Sequence, residues 1–290
     1  MKFGIYFAYW ETEWRGDYKA YIEKAAKLGF DVMELSYAPM PGYSEAYMQE
    51  LRACAKANGI TLTAGYGPTA DQNISSSDPS VVANGMAFFR EMLRRLEKMG
   101  IRSIGGGLYS YWPVDYSKPI DRERDRAIAL KNVRELGKEA LDRGVDFCLE
   151  CLNRYEGYLL NTAKEGVEFL QEVDVPSVKL LLDTFHMNIE EDSMPDAILT
   201  AGPYLRRLHT GEANRRVPGQ GGLPWNDIGR ALRAIDFQGD VVMEPFVRAG
   251  GTIGREIKVW RQLVDKVDEG SLDRDALRAL QFSRFVLGRQ

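Results

Sequence analysis

Residues 146–183 read DFCLECLNRYEGYLLNTAKEGVEFLQEVDVPSVKLLLD, and this stretch decides the fold. It opens on a short β-rich run, DFCLE from Asp146, and closes on another, VKLLLD from Val178. The second run is nearly continuous in apolar residues, as a parallel strand covered on both faces should be. Between the two, Thr162–Glu172 carries apolar residues at helical spacing. The stretch is therefore a strand, a helix and a second strand, the repeating unit of a parallel sheet.

The same rhythm runs outward in both directions. Upstream strands are expected at KFGIYF from Lys2, DVMELS from Asp31, ITLTAG from Ile60 and RSIGGG from Arg102; downstream ones at LRRLHT from Leu205 and DVVMEP from Asp240. The remaining helical patterns cover Tyr18–Leu28, Ser44–Asn58, Pro79–Met99, Arg124–Arg143, Pro195–Ala201, Trp225–Ile235 and Thr252–Val267. Several end in Gly just before the next strand, as in KLGF, ANGI, KMGI and DRGV, the usual helix C-terminal signal. Eight such units without a Pro-, Gly- or Ser-rich linker predict one (β/α)8 TIM barrel spanning residues 1–290 as a single domain. A doubly wound sheet is the alternative, but no GxGxxG opens a helix after the first strand. Leu272–Leu287 exceeds what eight units need and is expected to be an extra C-terminal helix bracing the barrel.

Composition narrows the function. The 290 residues carry 38 Lys plus Arg against 42 Asp plus Glu, a formal net charge of −4, which is the wrong sign for a protein that must neutralise many phosphates. A nucleic-acid partner is not expected, and a small uncharged ligand fits better. No apolar run approaches the ~20 residues a membrane span needs, so no membrane partner is expected. FGIYFAYW near the start is cut short by Glu11 and Glu13, lacks a basic leader, and reads as part of the mature chain. Cys54, Cys148 and Cys151 match no zinc or disulfide spacing, which points to a reducing cytoplasm. Only two histidines are present, too few for a multi-imidazole metal centre.

In a barrel of this type the chemistry sits where the strands end. Strand five ends on Glu150, strand six on Asp183, strand seven on His209 and strand eight on Glu244. A charge at the end of an apolar run is costly unless paired or bound to a cation. Any one of these could cap a strand or pair with an arginine; all four at corresponding positions point to a shared metal. Three carboxylates and one imidazole suit Mn2+, Co2+ or Mg2+ better than a thiolate-seeking zinc site. The other histidine, His186, follows Asp183 by three residues, in what reads as a loop over the same mouth, and is a candidate hydroxyl donor. Glu156, in the loop after strand five, and Arg215, in the loop after strand seven, join the same rim. Tyr109, Tyr111 and Trp112 in GGGLYSYWPVDY, with Tyr6, Trp10 and Trp14 after strand one, are expected to wall a sugar pocket. Cys148, one layer below Glu150, reads as core packing.

The runs GIYFAYW, GGGLYSYWP, DFCLECLNRYE, LLLDTFHMNIEED, LHTGEANRRVPG and VVMEPFVRAGG together resemble the D-tagatose 3-epimerase family, in its D-psicose (D-allulose) 3-epimerase branch, from Met1 to about Leu287. The resemblance implies a barrel with one divalent metal per subunit, Mn2+ or Co2+, on Glu150, Asp183, His209 and Glu244. It implies a small-molecule ketose substrate, epimerised at carbon 3 through a cis-enediolate, and assembly into a homodimer or homotetramer. Glu150 and Glu244 become the catalytic pair, Glu156, His186 and Arg215 the sugar contacts, and Tyr6, Gly107 and Trp112 parts of the pocket wall. Related epimerases preferring D-tagatose or L-ribulose, and an aldose–ketose isomerase on the same barrel, remain open at this level. A barrel nuclease is disfavoured by the histidine count and charge, and a non-catalytic sugar binder by the two glutamates facing each other. On this reading neither histidine is structural, and replacing either is expected to harm function before stability.

Overall fold

The strands follow from their local sequence and the helices from their caps. In the computed structural model, which describes residues 1–288, the strands are β1 (Lys2–Tyr6), β2 (Val32–Ser36), β3 (Thr61–Gly65), β4 (Ser103–Gly106), β5 (Asp146–Glu150), β6 (Val178–Asp183), β7 (Leu205–Thr210) and β8 (Asp240–Met243). All pair in parallel with their sequence neighbours, and β8 returns to β1 through Lys2↔Asp240 and Ile5↔Met243, so the sheet closes as a barrel. The register places Asp183 opposite His209 and Glu150 opposite Leu181. Residues two apart share a face of a strand, so Arg207 and His209 point to the same side.

The helices are α1 (Tyr18–Leu28), α2 (Glu45–Ala57), α3 (Pro79–Met99), α4 (Arg122–Asp142), α5 (Ala163–Val173), α6 (Thr184–Glu190), α7 (Met194–Ala201), α8 (Trp225–Ala234), α9 (Gly251–Glu256) and α10 (Glu269–Leu287). Short polar side chains start many of them: Asp17, Ser44, Asp78, Asp121, Thr162 and Ser193 each accept from a backbone amide of the first turn. Gly29 and Gly100 end α1 and α3 in the left-handed conformation. The C-terminal helix α10 packs on α8, α1 and β1, and takes hydrogen bonds from Tyr9 Oη to Leu272 O (3.0 Å) and Trp10 Nε1 to Asp273 Oδ1 (2.8 Å). Among the described residues no helix is long and apolar enough to cross a membrane.

Two elements depart from expectation. The pattern at Thr252–Val267 predicts one long helix, but α9 stops at Glu256. Lys258 then adopts φ 62°, Val259 N bonds Gly254 O (2.8 Å) and Leu263 N bonds Val247 O (2.9 Å). Pairing with the segment after β8 replaces the i→i−4 ladder. Conversely, the expected loop holding His186 is the short helix α6, because the Asp183 side chain accepts from Phe185 N (2.9 Å) and caps it.

Candidate active site

Four strand ends meet at one mouth of the barrel. One donor atom from each of Glu150, Asp183, His209 and Glu244 lies within 4.8 Å of the other three. His209 Nδ1 is 3.5 Å from Glu244 Oε1 and 3.9 Å from Glu150 Oε1. Two atoms facing this centre, Asp183 Oδ2 and His209 Nδ1, are buried without a hydrogen-bond partner. A buried polar atom left unpaired costs about 1–3 kcal/mol, and a cation between these donors removes that cost. The chemistry of the set, three carboxylates and an imidazole, fits one hard divalent ion.

Below the cluster lies a charged network absent from the strand-end reading. Glu34 on β2 is fully buried; its Oε1 lies 3.0 Å from His209 Nε2, and its Oε2 accepts from Thr63 Oγ1 (2.9 Å) and pairs with Arg207 at 2.7 Å. Arg207, also fully buried, donates further to Ala64 O (3.0 Å) and Ser103 Oγ (2.6 Å). Gly105 makes room for it: a Cβ there would stand 3.1 Å from Arg207 Nη1 and 2.5 Å from Leu181 Cδ1. An ionised carboxylate can only accept, so His209 turns an N–H toward Glu34 and its Nδ1 toward the cluster.

The electrostatics follow from this burial. Burial pushes the Glu150 carboxyl well above its ordinary pKa, with Glu244 and Asp183 adding to the shift against the pull of His209. Burial would lower the His209 pKa, but the Glu244 and Glu34 carboxylates hold it well above the ordinary value. For Glu34 the raising effect of burial is outweighed by Arg207 and then His209, leaving a pKa of about 2.

A cavity of about 280 Å3 opens above the cluster. Glu150, His209 and Glu244 line its floor, and Glu156, His186, Arg215, Tyr6, Gly107 and Trp112 all contribute to its walls. Asp183 lies just behind them, with His186 Nε2 3.7 Å and Arg215 Nη1 3.5 Å from its Oδ2. Arg215 stacks over Phe185 at 3.5 Å, reaches Glu156 Oε1 at 3.2 Å and Glu244 Oε2 at 3.8 Å, and has a buried Nη1 without a hydrogen-bond partner. Its backbone sits at φ 64°, a conformation that costs an L-residue roughly 1–2 kcal/mol. Hydrogen bonds from Arg215 N to Glu212 O and from Phe246 N to Arg215 O hold it there. Trp112 Nε1 donates to Glu156 Oε2 (3.2 Å). Burial disfavours the charge on Glu156, yet His186, Arg215 and the bonds from Asn153 and Trp112 hold its carboxyl below the ordinary value.

The aromatic wall differs in part from the sequence reading. Trp14 joins Tyr6 and Trp112 at the cavity, together with Tyr66 and Phe246. Tyr109, Trp10 and Tyr111 do not. Tyr109 is buried with its hydroxyl on Glu150 O (2.9 Å), bracing the end of β5. Trp10 stacks on Tyr21 at 5.5 Å and bonds α10, and the Tyr111 hydroxyl accepts from Asp115 N. Sequence reasoning missed Glu34, Arg207, Asn153 and Glu212: Glu34 alone stands out locally, as a charge between Met33 and Leu35, whereas Arg207 sits beside Arg206 and Asn153 and Glu212 lie in polar loops.

A family model described as xylose isomerase-like TIM barrel matches residues 22–267. The chain is 59% identical over 287 residues to a D-psicose 3-epimerase of Ruminiclostridium cellulolyticum, covering 99% of this chain and 98% of the relative. It is 54% identical over 288 residues to a D-psicose 3-epimerase of Agrobacterium fabrum, covering 99% and 100%. Among solved structures it superimposes on a D-psicose 3-epimerase with D-tagatose from Clostridium cellulolyticum H10 at a TM-score of 0.99, with 58% identity and complete coverage of both chains.

Proposed function

This chain belongs to the xylose isomerase-like TIM barrel family and, within it, to the D-psicose 3-epimerases, and on that premise we propose how its own residues carry the reaction. It is an isomerase that interconverts D-fructose and D-psicose at carbon 3. The observation that carries the assignment of residues is the convergence of Glu150 and Glu244, from strands that are not neighbours, on the floor of one cavity beside Asp183 and His209.

Inverting a carbon next to a ketone requires a proton to leave one face and another to arrive on the opposite face. One glutamate takes the carbon 3 proton; the electron pair of that C–H bond forms the double bond to carbon 2, and the carbonyl electrons move to the carbon 2 oxygen, giving a cis-enediolate. The second glutamate gives its proton to carbon 3 from the other side as the carbonyl re-forms. The two exchange roles in the reverse direction, and exchange with solvent resets their protons. Each positioned acid or base contributes about 10²–10⁴-fold. A divalent ion held by Glu150, Asp183, His209 and Glu244, with Mn2+ or Co2+ the favoured choices and Mg2+ a third, would supply positive charge that stabilises the enediolate by several kcal/mol.

The remaining residues bind and orient. Glu156 and His186 face the hydroxyls near carbons 1 and 2, and Arg215 Nη1, which has no hydrogen-bond partner, suits an oxygen that gains negative charge. Tyr6 and Trp112 give flat faces to the sugar ring or chain, and Gly107 leaves the wall open beside Leu152. The reading also includes a cytoplasmic homodimer or homotetramer, which sedimentation velocity tests.

Turnover of D-psicose in D2O should place deuterium at carbon 3 of the product. Glu150→Gln and Glu244→Gln should each lower kcat by at least about 10²-fold with the far-UV spectrum unchanged. Product without label would point instead to an intramolecular hydride route. Near-normal rates in either variant would remove the two-base scheme.

A further inference from the structure

Both histidines are buried, and their surroundings fix where each ring carries its proton. His186, on α6, receives two donors at one nitrogen: the backbone N–H of Asn153 at 3.2 Å from Nδ1, and the Asn153 side-chain nitrogen at 2.7 Å. A backbone amide can only donate, so Nδ1 presents a lone pair and the ring proton resides on Nε2. That Nε2–H points into the cavity, 3.6 Å from Glu150 Oε1 and 3.7 Å from Asp183 Oδ2. His209 is turned the other way, with its Nε2 on Glu34 and its Nδ1 toward the site. The two rings thus turn opposite nitrogens to one cavity, Nε2 from His186 and Nδ1 from His209.

The orientation of the Asn153 amide is itself fixed. Its Oδ1 accepts from Tyr155 N (2.9 Å), which leaves Nδ2 facing His186 and Glu156 Oε1 (3.1 Å). Its own backbone carbonyl accepts from Glu156 N and Gly157 N, both at 2.9 Å, so it also shapes the turn that carries Glu156. Asn153 is 1% exposed and is absent from the cavity wall, so it acts only through its neighbours.

We propose that Asn153 is a positioning residue that locks His186 as a hydrogen-bond donor to a ketose oxygen and, with the same amide, aims Glu156 at the neighbouring hydroxyl. The proposal rests on the ketose reading above. A donor is what that place requires, because oxygens of the substrate gain charge in the enediolate. Exchanging Asn for Asp keeps the size and the backbone donor at 3.2 Å but turns the closer contact, at 2.7 Å, into a charged acceptor that outweighs it, draws a proton to Nδ1, and puts a second carboxylate beside Glu156.

With two histidines in the chain, untagged enzyme labelled with 15N-histidine and loaded with diamagnetic Mg2+ gives four ring-nitrogen signals. His186→Gln assigns them. The expected wild-type pattern for His186 is a protonated Nε2 and an unprotonated Nδ1. Asn153→Asp should convert it to a protonated Nδ1 and lower kcat/KM for D-psicose by about 10²-fold or more. Mn2+ affinity should stay within about threefold of wild type. Asn153→Ala, which keeps the backbone donor, should leave the tautomer in place with a smaller loss of about tenfold, and it serves if the Asp variant does not fold. A wild-type His186 protonated at Nδ1 would overturn the proposal, as would full kcat/KM in both variants or lost turnover in Asn153→Asp with the His186 signals unmoved. If the wild type epimerises no ketose, the premise fails while the spectrum still decides the tautomer.

Discussion

Glu34 lies where an unpaired carboxylate would cost several kcal/mol, and it stays charged because Arg207, Thr63 and His209 surround it. Its pKa of about 2 lies below the ordinary carboxylate value of about 4.3. The stability it contributes is therefore present above about pH 4.3 and is lost as pH falls toward 2. Glu34→Gln should make acid unfolding shallower across that window, and should weaken Mn2+ binding about 10–100-fold because His209 loses its orienting carboxylate; calorimetric titration and acid-unfolding curves check both. Arg207→Met should cost about 3–5 kcal/mol in urea unfolding, since it strands the Glu34 charge. An unchanged midpoint would mean that the pair is not coupled to folding. The four strand-end residues were legible because each strand's own residues fix where its apolar run stops. Glu34 and Arg207 were not. Each alone is one polar residue in a strand, and their meeting depends on how β2 and β7 face one another across the barrel, which no local pattern encodes.

The segment from β7 to α8 shows how an element is held without secondary structure. Glu212 is fully buried, and its carboxylate accepts from Gly219 N (2.7 Å), Leu223 N (3.3 Å) and Trp225 Nε1 (2.8 Å). Its backbone closes the turn of Arg215 through Glu212 N to Arg216 O (3.0 Å). Gly221 lets the chain pass close by, since a Cβ there would stand 2.3 Å from Glu212 Oε2. Glu212→Ala leaves three donors without an acceptor, at about 1–3 kcal/mol for each one that water cannot reach. We expect a loss of several kcal/mol in denaturant unfolding, protease cleavage within 213–224, and a raised KM as Arg215 loses its hold. A resistant loop with normal KM would contradict this role. The same lesson explains the two misplaced elements. Helical periodicity ran through Thr252–Val267, yet bonds to the segment after β8 ended α9 at Glu256. At Thr184–Glu190 the run is too short for periodicity to show, and only the Asp183 cap announces the helix.

At the scale of the whole barrel, order and closure have an electrostatic consequence. The sequence rhythm counted eight βα units, but which end strands meet is a property of closure, and pairing β8 with β1 brings Glu244 round to Glu150 and Asp183. Three carboxylates thus crowd one mouth of a chain whose net charge is already −4. Like charges this close disfavour the folded state unless protonated or neutralised, and a divalent ion bound only by the folded state adds RT ln(1 + [L]/Kd), about 2.7 kcal/mol at 100 times Kd. At roughly 2–4 °C per kcal/mol for a chain of this order, chelation should lower Tm by about 5–10 °C. Added Mn2+ or Co2+ should restore it in proportion to the logarithm of concentration, and activity should return with it. Glu150→Gln and Glu244→Gln each remove one of the crowded charges and one ligand, so both should start from a Tm at or above that of the metal-free wild type and respond less to metal. Differential scanning calorimetry with and without chelator decides it: a wild-type Tm indifferent to chelator and to added ion would mean that the cluster holds no ion in the folded state.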